Sequence, residues 1–361
     1  MSKRRIKKLC FVTGDLSFGG AERVVTTLAN CFAATGIEVT IFCIGRTQPK
    51  IDYSLAPEVK VIIIHGAAGI FGKLSQLWRL RRTVKEFHPD SIIAFMDYIN
   101  IQVIISCYGL GIPVTISVRS NPALATSLST IITRFLYKFA DSAVFQTKEQ
   151  RDFYVACKKR KDAIILNPVD ISKIDATKRE NKGCHIVTVG RLVSAKNYQL
   201  LLRAFHLISE DFPEAKLAFW GEGGQRGELE RISAELCLEK RVWFAGVTDD
   251  VFEQIASARM FVMTSVSEGL PNALIEAMCL GVPCISTRFL GGGAEMLIQG
   301  GVNGLLVPSG DCEALADAMK RLLSDDKLAE NLGENAKMLR EKVDPVKIMD
   351  EWLDLLEEIM R

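Results

Sequence analysis

Glu268-Gly-Leu-Pro-Asn-Ala-Leu-Ile-Glu276 is the stretch on which the reading of this chain turns. Two carboxylates bracket a Gly-Leu-Pro turn, and the apolar run from Leu274 to Leu280 leads on from it. Upstream, Met260-Phe-Val-Met-Thr264 has the unbroken apolar character of a buried strand, and Gly281-Val-Pro283 punctuates the far end. Pro271 suits the first turn of a helix, where its missing N–H leaves no bond unmade. The stretch therefore predicts strand, loop and helix, with Glu268 before the helix and Glu276 on its second turn. Backbone N–H groups at such a helix start attract phosphate or a sugar hydroxyl. With carboxylates on both sides, the turn suits a ligand carrying hydroxyls and phosphates together, such as a nucleotide sugar.

The same alternation runs outward in both directions. Strand-like runs fall at 9–13, 39–44, 59–64, 91–95, 114–118, 142–145 and 163–166, with helical periodicity between them. Residues 170–183 are polar and poor in large apolar groups, as a linker would be. A second series follows at 185–189, 216–220, 242–244, 260–263, 284–286 and 304–307, then helices at 312–323, 327–342 and an acidic amphipathic one at 346–360. Strands alternating with helices predict an α/β protein with parallel sheets, and 361 residues suffice for two domains.

Composition narrows the class. A hydrophobic content of 48% excludes a disordered chain. The net charge of +2 conceals an asymmetry: residues 1–170 hold 23 Lys and Arg against 13 Asp and Glu, and the remainder hold 22 against 30. A net of +10 in the first part points to an anionic partner there. The ten cysteines form no C-x-x-C pair and several sit within apolar runs, which reads as a reduced compartment with cysteines as small core residues. Lys3-Arg-Arg-Ile-Lys-Lys8 runs straight into a single strand-length apolar run, so no signal peptide is expected. The four histidines show no ligand spacing. The apolar region 92–118 is broken by Asp97, Asn100, Gln102, Gly109, Gly111 and Pro113, and reads as strand, helix, strand rather than a membrane span.

Two further motifs follow strands. Gly14-Asp-Leu-Ser-Phe-Gly-Gly-Ala-Glu22 opens a helix, where doubly wound sheets bind ligands. Gly20 stands where a Walker loop needs Lys, and the spacing is not G-x-G-x-x-G. Packing glycines in a tight turn and a phosphate- or acceptor-binding loop are both open readings. Gly190-Arg-Leu192 with Lys196 lies beside a helix start at Asn197. Arg offers a planar fork and Lys a mobile point charge, a pair suited to a diphosphate, with two solvated loop cations as the plain alternative.

Taken in order, Gly19-Gly-Ala-Glu22, Asn167-Pro-Val-Asp170, Gly190-Arg-Leu192 with Lys196, and Glu268 with Glu276 resemble the motifs of retaining glycosyltransferases of the GT-B architecture. These form the large family-4-like group that contains capsule, lipopolysaccharide and N-glycan assembly enzymes, and the resemblance spans nearly the whole chain. It implies an α/β fold of two Rossmann-like domains with parallel sheets and an interdomain cleft. Residues 1–168 would face the acceptor and membrane, and 169–344 would bind the nucleotide sugar, with a final helix at 345–361 crossing back onto the first domain.

The resemblance also implies roles. Arg191 and Lys196 hold the donor diphosphate and stabilise the departing nucleoside diphosphate. Glu276 accepts from ribose hydroxyls, and Glu268 lies near the transferred sugar. Gly269, Leu270 and Pro271 shape the turn between them, with the first two N–H groups aimed at donor oxygens. Gly19 and Gly20 border the donor, and Val247, in Phe244-Ala-Gly-Val-Thr248, faces the nucleobase. Arg119, in Ser117-Val-Arg-Ser-Asn121, stands near the position where many relatives carry His. Arg stays charged and is no general base, so its implied part is to orient the sugar or the leaving phosphate. Same-face attack in a retaining reaction needs no protein nucleophile. No D-x-D occurs, and adjacent Asp249-Asp250 reads as helix capping. The expectation is therefore catalysis without cofactor or metal, with fixed cations and helix-start N–H groups supplying the electrostatics.

Residues 69–87 interleave Ile70, Leu74, Leu77, Trp78 and Leu80 with Lys73, Arg79, Arg81, Arg82 and Lys85. A basic amphipathic helix with Trp suits an anionic membrane surface or a lipid-linked diphosphate, with a core-packed helix and solvated basic face as the plain alternative. Lys158-Lys-Arg-Lys161 adds to the basic charge. The helix is similar to the acceptor-binding helix of bacterial N-glycan assembly transferases. Together these readings predict transfer from a nucleotide sugar, a UDP-sugar first, to a polyprenyl-diphosphate-linked glycan. The enzyme would be cytoplasmic and peripheral on the inner face of the cell membrane. A lipopolysaccharide-core or glycolipid acceptor and a two-domain UDP-sugar epimerase are the alternatives. Nucleic acid is not an expected partner, because the basic part carries no interleaved aromatic platform.

Overall fold

A computed structural model describes residues 6–17, 19–45, 51–66, 69–119, 128–154, 161–177 and 185–360. Residues 3–5, Phe18, Ser120, Asn121, residues 158–160 of the second basic cluster and 178–183 of the expected linker lie outside the described residues. The chain divides into two compact units, one of residues 1–168 with 343–361 and one of residues 169–342.

The first unit is a seven-stranded parallel sheet. Its strands are β1 (Lys8–Thr13), β2 (Glu38–Gly45), β3 (Lys60–His65), β4 (Ser91–Phe95), β5 (Val114–Ser117), β6 (Ser142–Phe145) and β7 (Lys161–Ile164), in the order β3-β2-β1-β4-β5-β6-β7. Helices α1 (Gly20–Ala34), α2 (Gly69–Phe87), α3 (Asp97–Cys107), α4 (Leu128–Leu136) and α5 (Lys148–Tyr154) connect them. The central strands are covered on both faces, so they read as continuous apolar runs; all of Ser-Ile-Ile-Ala-Phe in β4 is buried. Phe11 at the centre of β1 registers against Ile41 and Ile93. The edge strand β3 alternates instead, and its exposed Lys60 pairs with Glu38 at 3.0 Å, a charged edge that resists further pairing.

The second unit repeats the plan with β8 (His185–Val189), β9 (Lys216–Trp220), β10 (Val242–Gly246), β11 (Met260–Met263), β12 (Cys284–Thr287) and β13 (Leu305–Val307), all parallel. Their order is β10-β9-β8-β11-β12-β13. Helices α6 (Ile171–Ala176), α7 (Tyr198–Ile208), α8 (Arg226–Glu235), α9 (Val251–Ala256), α10 (Asn272–Cys279), α11 (Gly293–Leu297), α12 (Cys312–Ser324) and α13 (Asp326–Ala336) complete it. In both sheets the chain steps to one side of the first strand and then to the other. That reversal leaves a crevice at the carboxyl ends of β1 and β4 in the first unit and of β8 and β11 in the second.

The last helix, α14 (Pro345–Ile359), returns to the first unit. Asp344 accepts from the N–H groups of Val346 and Lys347, and Pro345 takes the first helical turn. Ile348, Met349, Trp352, Leu353, Leu355 and Leu356 form the buried stripe that joins the core around Phe11, Phe32 and Phe95. Trp352 stacks on Phe95 with ring centroids 5.8 Å apart.

Two expected elements are placed differently. The run expected at 163–166 pairs at Lys161–Ile164, because an edge strand carries Lys and Asp without loss, and the apolar Ile165 and Leu166 lie past its end. The single helix expected at 327–342 ends at Ala336 and tightens into a 3₁₀ turn at Lys337–Lys342. There Arg340 donates to the Cys279 carbonyl at 2.6 Å, a bond that fastens the turn to the end of α10. Among the described residues, no helix is long and apolar enough to cross a membrane.

Trp352 is fully buried, so Trp352→Ala should lower unfolding stability by about 3–5 kcal/mol, read from urea melts of the full chain.

Candidate active site

The crevice of the second unit is built by the loops that leave β8 and β11. Gly190 follows β8 at φ +153°, a backbone conformation that favours glycine, and a Cβ there would also crowd the Tyr198 hydroxyl at 2.8 Å and Lys196 Cε at 3.0 Å. The chain then passes Arg191, which is exposed, and turns through Ser194–Lys196. Asn197, in the left-handed region at φ +48°, redirects it into α7. The loop after β11 lies against this turn. Thr264 Oγ1 donates to the Lys196 carbonyl, and the Val266 N–H donates to that of Ala195, both at 2.9 Å.

Across this seam Lys196 Nζ reaches Glu268 Oε1 at 2.6 Å, and Ser265 Oγ donates to the same oxygen at 2.9 Å. The two charged side chains are 17% and 20% exposed, sheltered but open to a ligand. Burial and the nearby Glu268 charge together push the Tyr198 hydroxyl well above the usual phenol range. Among the described residues, Arg191 has no carboxylate within ion-pairing distance. The mouth thus carries two cations and one anion rather than two unopposed cations.

After Glu268, Gly269-Leu-Pro271 turns into α10. The N–H groups of Gly269 and Ala273 find no acceptor among the described residues, which leaves backbone donors at the helix start. Leu270 and Pro271 are buried and fix the turn. Glu276, on the second turn, is 2% exposed. Val247, just past β10, is 60% exposed, an apolar side chain available for a flat ligand.

One participant was not singled out in the sequence. Gly291-Gly-Gly293 leads from β12 into α11, and a Cβ on Gly293, the first residue of that helix, would overlap the Gly269 carbonyl oxygen. Three successive glycines after a strand were the available signal. The Asp249-Asp250 reading needs correction: Asp250 holds the N-cap position of α9, but its side chain makes no capping bond, and Thr248 Oγ1 accepts its N–H instead. Among the described residues, no three His, Cys, Asp or Glu side chains gather as a metal site would need.

The remaining candidates lie in the first unit. The Tyr53 hydroxyl accepts from the Gly19 N–H and donates to the Gly19 carbonyl, each at 3.1 Å, so that N–H is already engaged within the protein. Gly20 opens α1. Arg119 follows β5 and is half-buried; Nε donates to Ser117 Oγ at 2.8 Å, and Nη1 donates to Asn167 Oδ1. On α2, Arg81 donates to the Ser106 and Tyr108 carbonyls at 2.8 Å and so caps α3, while Arg82 pairs with Glu86 at 2.7 Å. Arg79 donates to the His65 carbonyl at 3.2 Å. Lys73, Trp78 and Lys85 point to solvent.

The family model described as Glycosyl transferases group 1 matches residues 170–338, and the one described as Glycosyltransferase Family 4 matches residues 18–173. The chain is 31% identical to the GalNAc-alpha-(1->4)-GalNAc-alpha-(1->3)-diNAcBac-PP-undecaprenol alpha-1,4-N-acetyl-D-galactosaminyltransferase of Campylobacter jejuni, across 98% of this chain and 99% of that one. It is 26% identical to the N-acetylgalactosamine-N,N'-diacetylbacillosaminyl-diphospho-undecaprenol 4-alpha-N-acetylgalactosaminyltransferase of the same organism, across 97% and 100%. Among solved structures, HepE of Anabaena in complex with UDP superposes with a TM-score of 0.82 at 20% identity, covering 97% of this chain and 100% of that one, a likeness of fold.

Glu268→Gln leaves Lys196 unneutralised while keeping the side-chain shape. Affinity for inorganic pyrophosphate should then rise about three- to tenfold in calorimetric titration, the sign expected when a competing anion is removed.

Proposed function

This chain belongs to the glycosyl transferases group 1 family and is a family-4-like glycosyltransferase of the α/β GT-B fold, and we propose that it moves a sugar from a UDP-sugar to a polyprenyl-diphosphate-linked glycan. The observation that carries this reading is the convergence of Arg191, the Lys196–Glu268 pair and the open N–H groups at the start of α10 on one crevice. The lipid-diphosphate acceptors named for the two Campylobacter relatives support the acceptor class, and the UDP in the Anabaena structure supports the donor class.

Departure of a nucleoside diphosphate builds negative charge on its outer phosphate. Arg191 can meet that charge with a planar fork, and Lys196 can do so by releasing Glu268. The backbone N–H groups at the turn add fixed dipoles that need no reorganisation as the charge develops. These groups supply the electrostatics with no metal. On this reading Glu268, freed from Lys196 and still near Ser265, accepts hydrogen bonds from the transferred sugar, Glu276 accepts from the ribose, and Val247 lies against the base. Arg119 orients the sugar or phosphate and moves no proton. With no protein nucleophile required, the acceptor hydroxyl attacks from the face the leaving group vacates and gives its proton to the departing phosphate oxygen, which gives retention.

The enzyme docks, on this proposal, on an anionic membrane at its cytoplasmic face. Phe71, Leu74 and Trp78 recur along one exposed stripe of α2, and Arg82 stacks on Trp78 at 5.8 Å, with Lys73 and Lys85 exposed nearby. On α4, the apolar Ile131, Ile132 and Phe135 also face outward. Tyr108 and Phe139 meet edge to face at 5.7 Å, and Arg81 joins α2 to the end of α3, so the exposed groups sit on neighbouring elements. A helix bearing Trp and Lys suits the headgroup region, and each basic group near it contributes about 1 kcal/mol.

UDP or a UDP-sugar should raise the melting temperature in excess EDTA, NAD should not, and Arg191→Ala should remove the shift without changing the unliganded melt. A shift abolished by EDTA would overturn the metal-free reading. In flotation with vesicles containing phosphatidylglycerol, the wild type should float, and Trp78→Ala with Phe135→Ala should cut the bound fraction severalfold. Arg81→Ala should instead lower the melting temperature, since its donors cap α3.

A further inference from the structure

Arg119 is held on three sides by neutral groups. Besides its bonds to Ser117 and Asn167, its Cζ lies 4.7 Å over the Phe95 ring, which Trp352 supports from α14. Asn167 Oδ1 also accepts from Gln146 Nε2 at 3.0 Å, and the Gln146 N–H donates to Gln150 Oε1 at 2.9 Å. Asn167, Gln146 and Gln150 are all buried, so a run of fixed carboxamides ends on the guanidinium.

Among the described residues, no Asp or Glu pairs with Arg119, and burial alone pushes its guanidinium down, to about 9, which leaves it cationic at neutral pH. A guanidinium has five N–H donors, and the protein bonds to two of those on Arg119. A sheltered cation without a counter-ion is costly. Aspartate has nearly the shape of asparagine and would give a charge-assisted bond roughly twice as strong as a neutral one. Asparagine gives the direction without cancelling the charge.

We infer that Asn167 is a positioning residue that holds Arg119 as an unneutralised cation for a phosphate-type oxyanion. The inference rests on the proposed transferase reading only for the source of that phosphate, the nucleotide diphosphate or the diphosphate of a lipid-linked acceptor.

Calorimetric titration of the full chain with UDP and with farnesyl diphosphate separates the sources. Asn167→Asp should raise Kd for at least one of them by about tenfold or more, while the protein melts at or above the wild-type temperature. The probe that weakens identifies the source. Asn167→Leu, which removes the acceptor but leaves the charge, should weaken binding less. Arg119→Met should match Asn167→Asp, and the double variant should lose no more than either alone. The inference is overturned if Leu weakens binding more than Asp, if Asp binds both probes like the wild type, or if Asn167→Asp melts well below it. A wild type that binds neither probe would overturn the transferase reading as well.

Discussion

The ion pair between Lys196 and Glu268 is the contact on which the second unit's crevice depends. β8 and β11 are neighbours in the sheet, but the loops leaving them belong to connections that run to opposite sides. The pair, with the Thr264 and Val266 bonds beside it, fastens those loops where they would otherwise diverge. Its strength is intermediate. Both side chains are sheltered, so attraction exceeds that of an exposed pair, yet each is still solvated in part and the desolvation cost is not that of a core ion pair. Such a pair holds a cation at the mouth and can still exchange it for a phosphate. Lysine suits this use, because a mobile point charge exchanges partners more readily than a bidentate fork.

The first unit handles its cation in the opposite way. Arg119 is aimed by an amide, a hydroxyl and an aromatic face, and none of these lowers its net charge. The support reaches far along the sequence, since Phe95 ends β4 and Trp352 belongs to the last helix. The helix that returns to the first unit therefore does more than fill core volume; it backs the ring against which the guanidinium lies. A group that must meet an anion benefits from being immobile beforehand, because less reorganisation is then left for the moment of binding.

The parallel strands were legible because burial on both faces leaves an unbroken apolar signal, as in β4 and β11. The edges were harder to read. β7 begins with Lys and Asp, a composition that says loop unless the neighbouring strand is known. The motif positions of Arg191, Lys196, Glu268 and Glu276 could be read, but not that Lys196 and Glu268 would face each other, since pairing across a crevice leaves no local periodicity. Tyr53 lies in a loop without a pattern, so its hold on Gly19 was invisible. On α2 the pattern showed amphipathicity without showing that the Arg81 fork turns inward onto two carbonyls.

The charge asymmetry of the sequence overstates the field that the first unit offers a surface. Residues 343–361, which return to that unit, hold six Asp and Glu against two Lys and Arg, so part of the excess is offset within it. The apolar groups keep much of their surface open: Phe71, Leu74, Trp78, Ile131, Ile132 and Phe135 stay exposed even with Arg82 over Trp78 and Phe139 edge-on to Phe135. Burying one large apolar side chain fully contributes about 1.5–3 kcal/mol, against about 1 kcal/mol for a basic group near an anionic headgroup. On the membrane reading, insertion of these side chains would then contribute at least as much as charge. Salt would weaken the attachment by screening its electrostatic share and leave the apolar share in place, so a purely electrostatic contact is not what this surface is built to make.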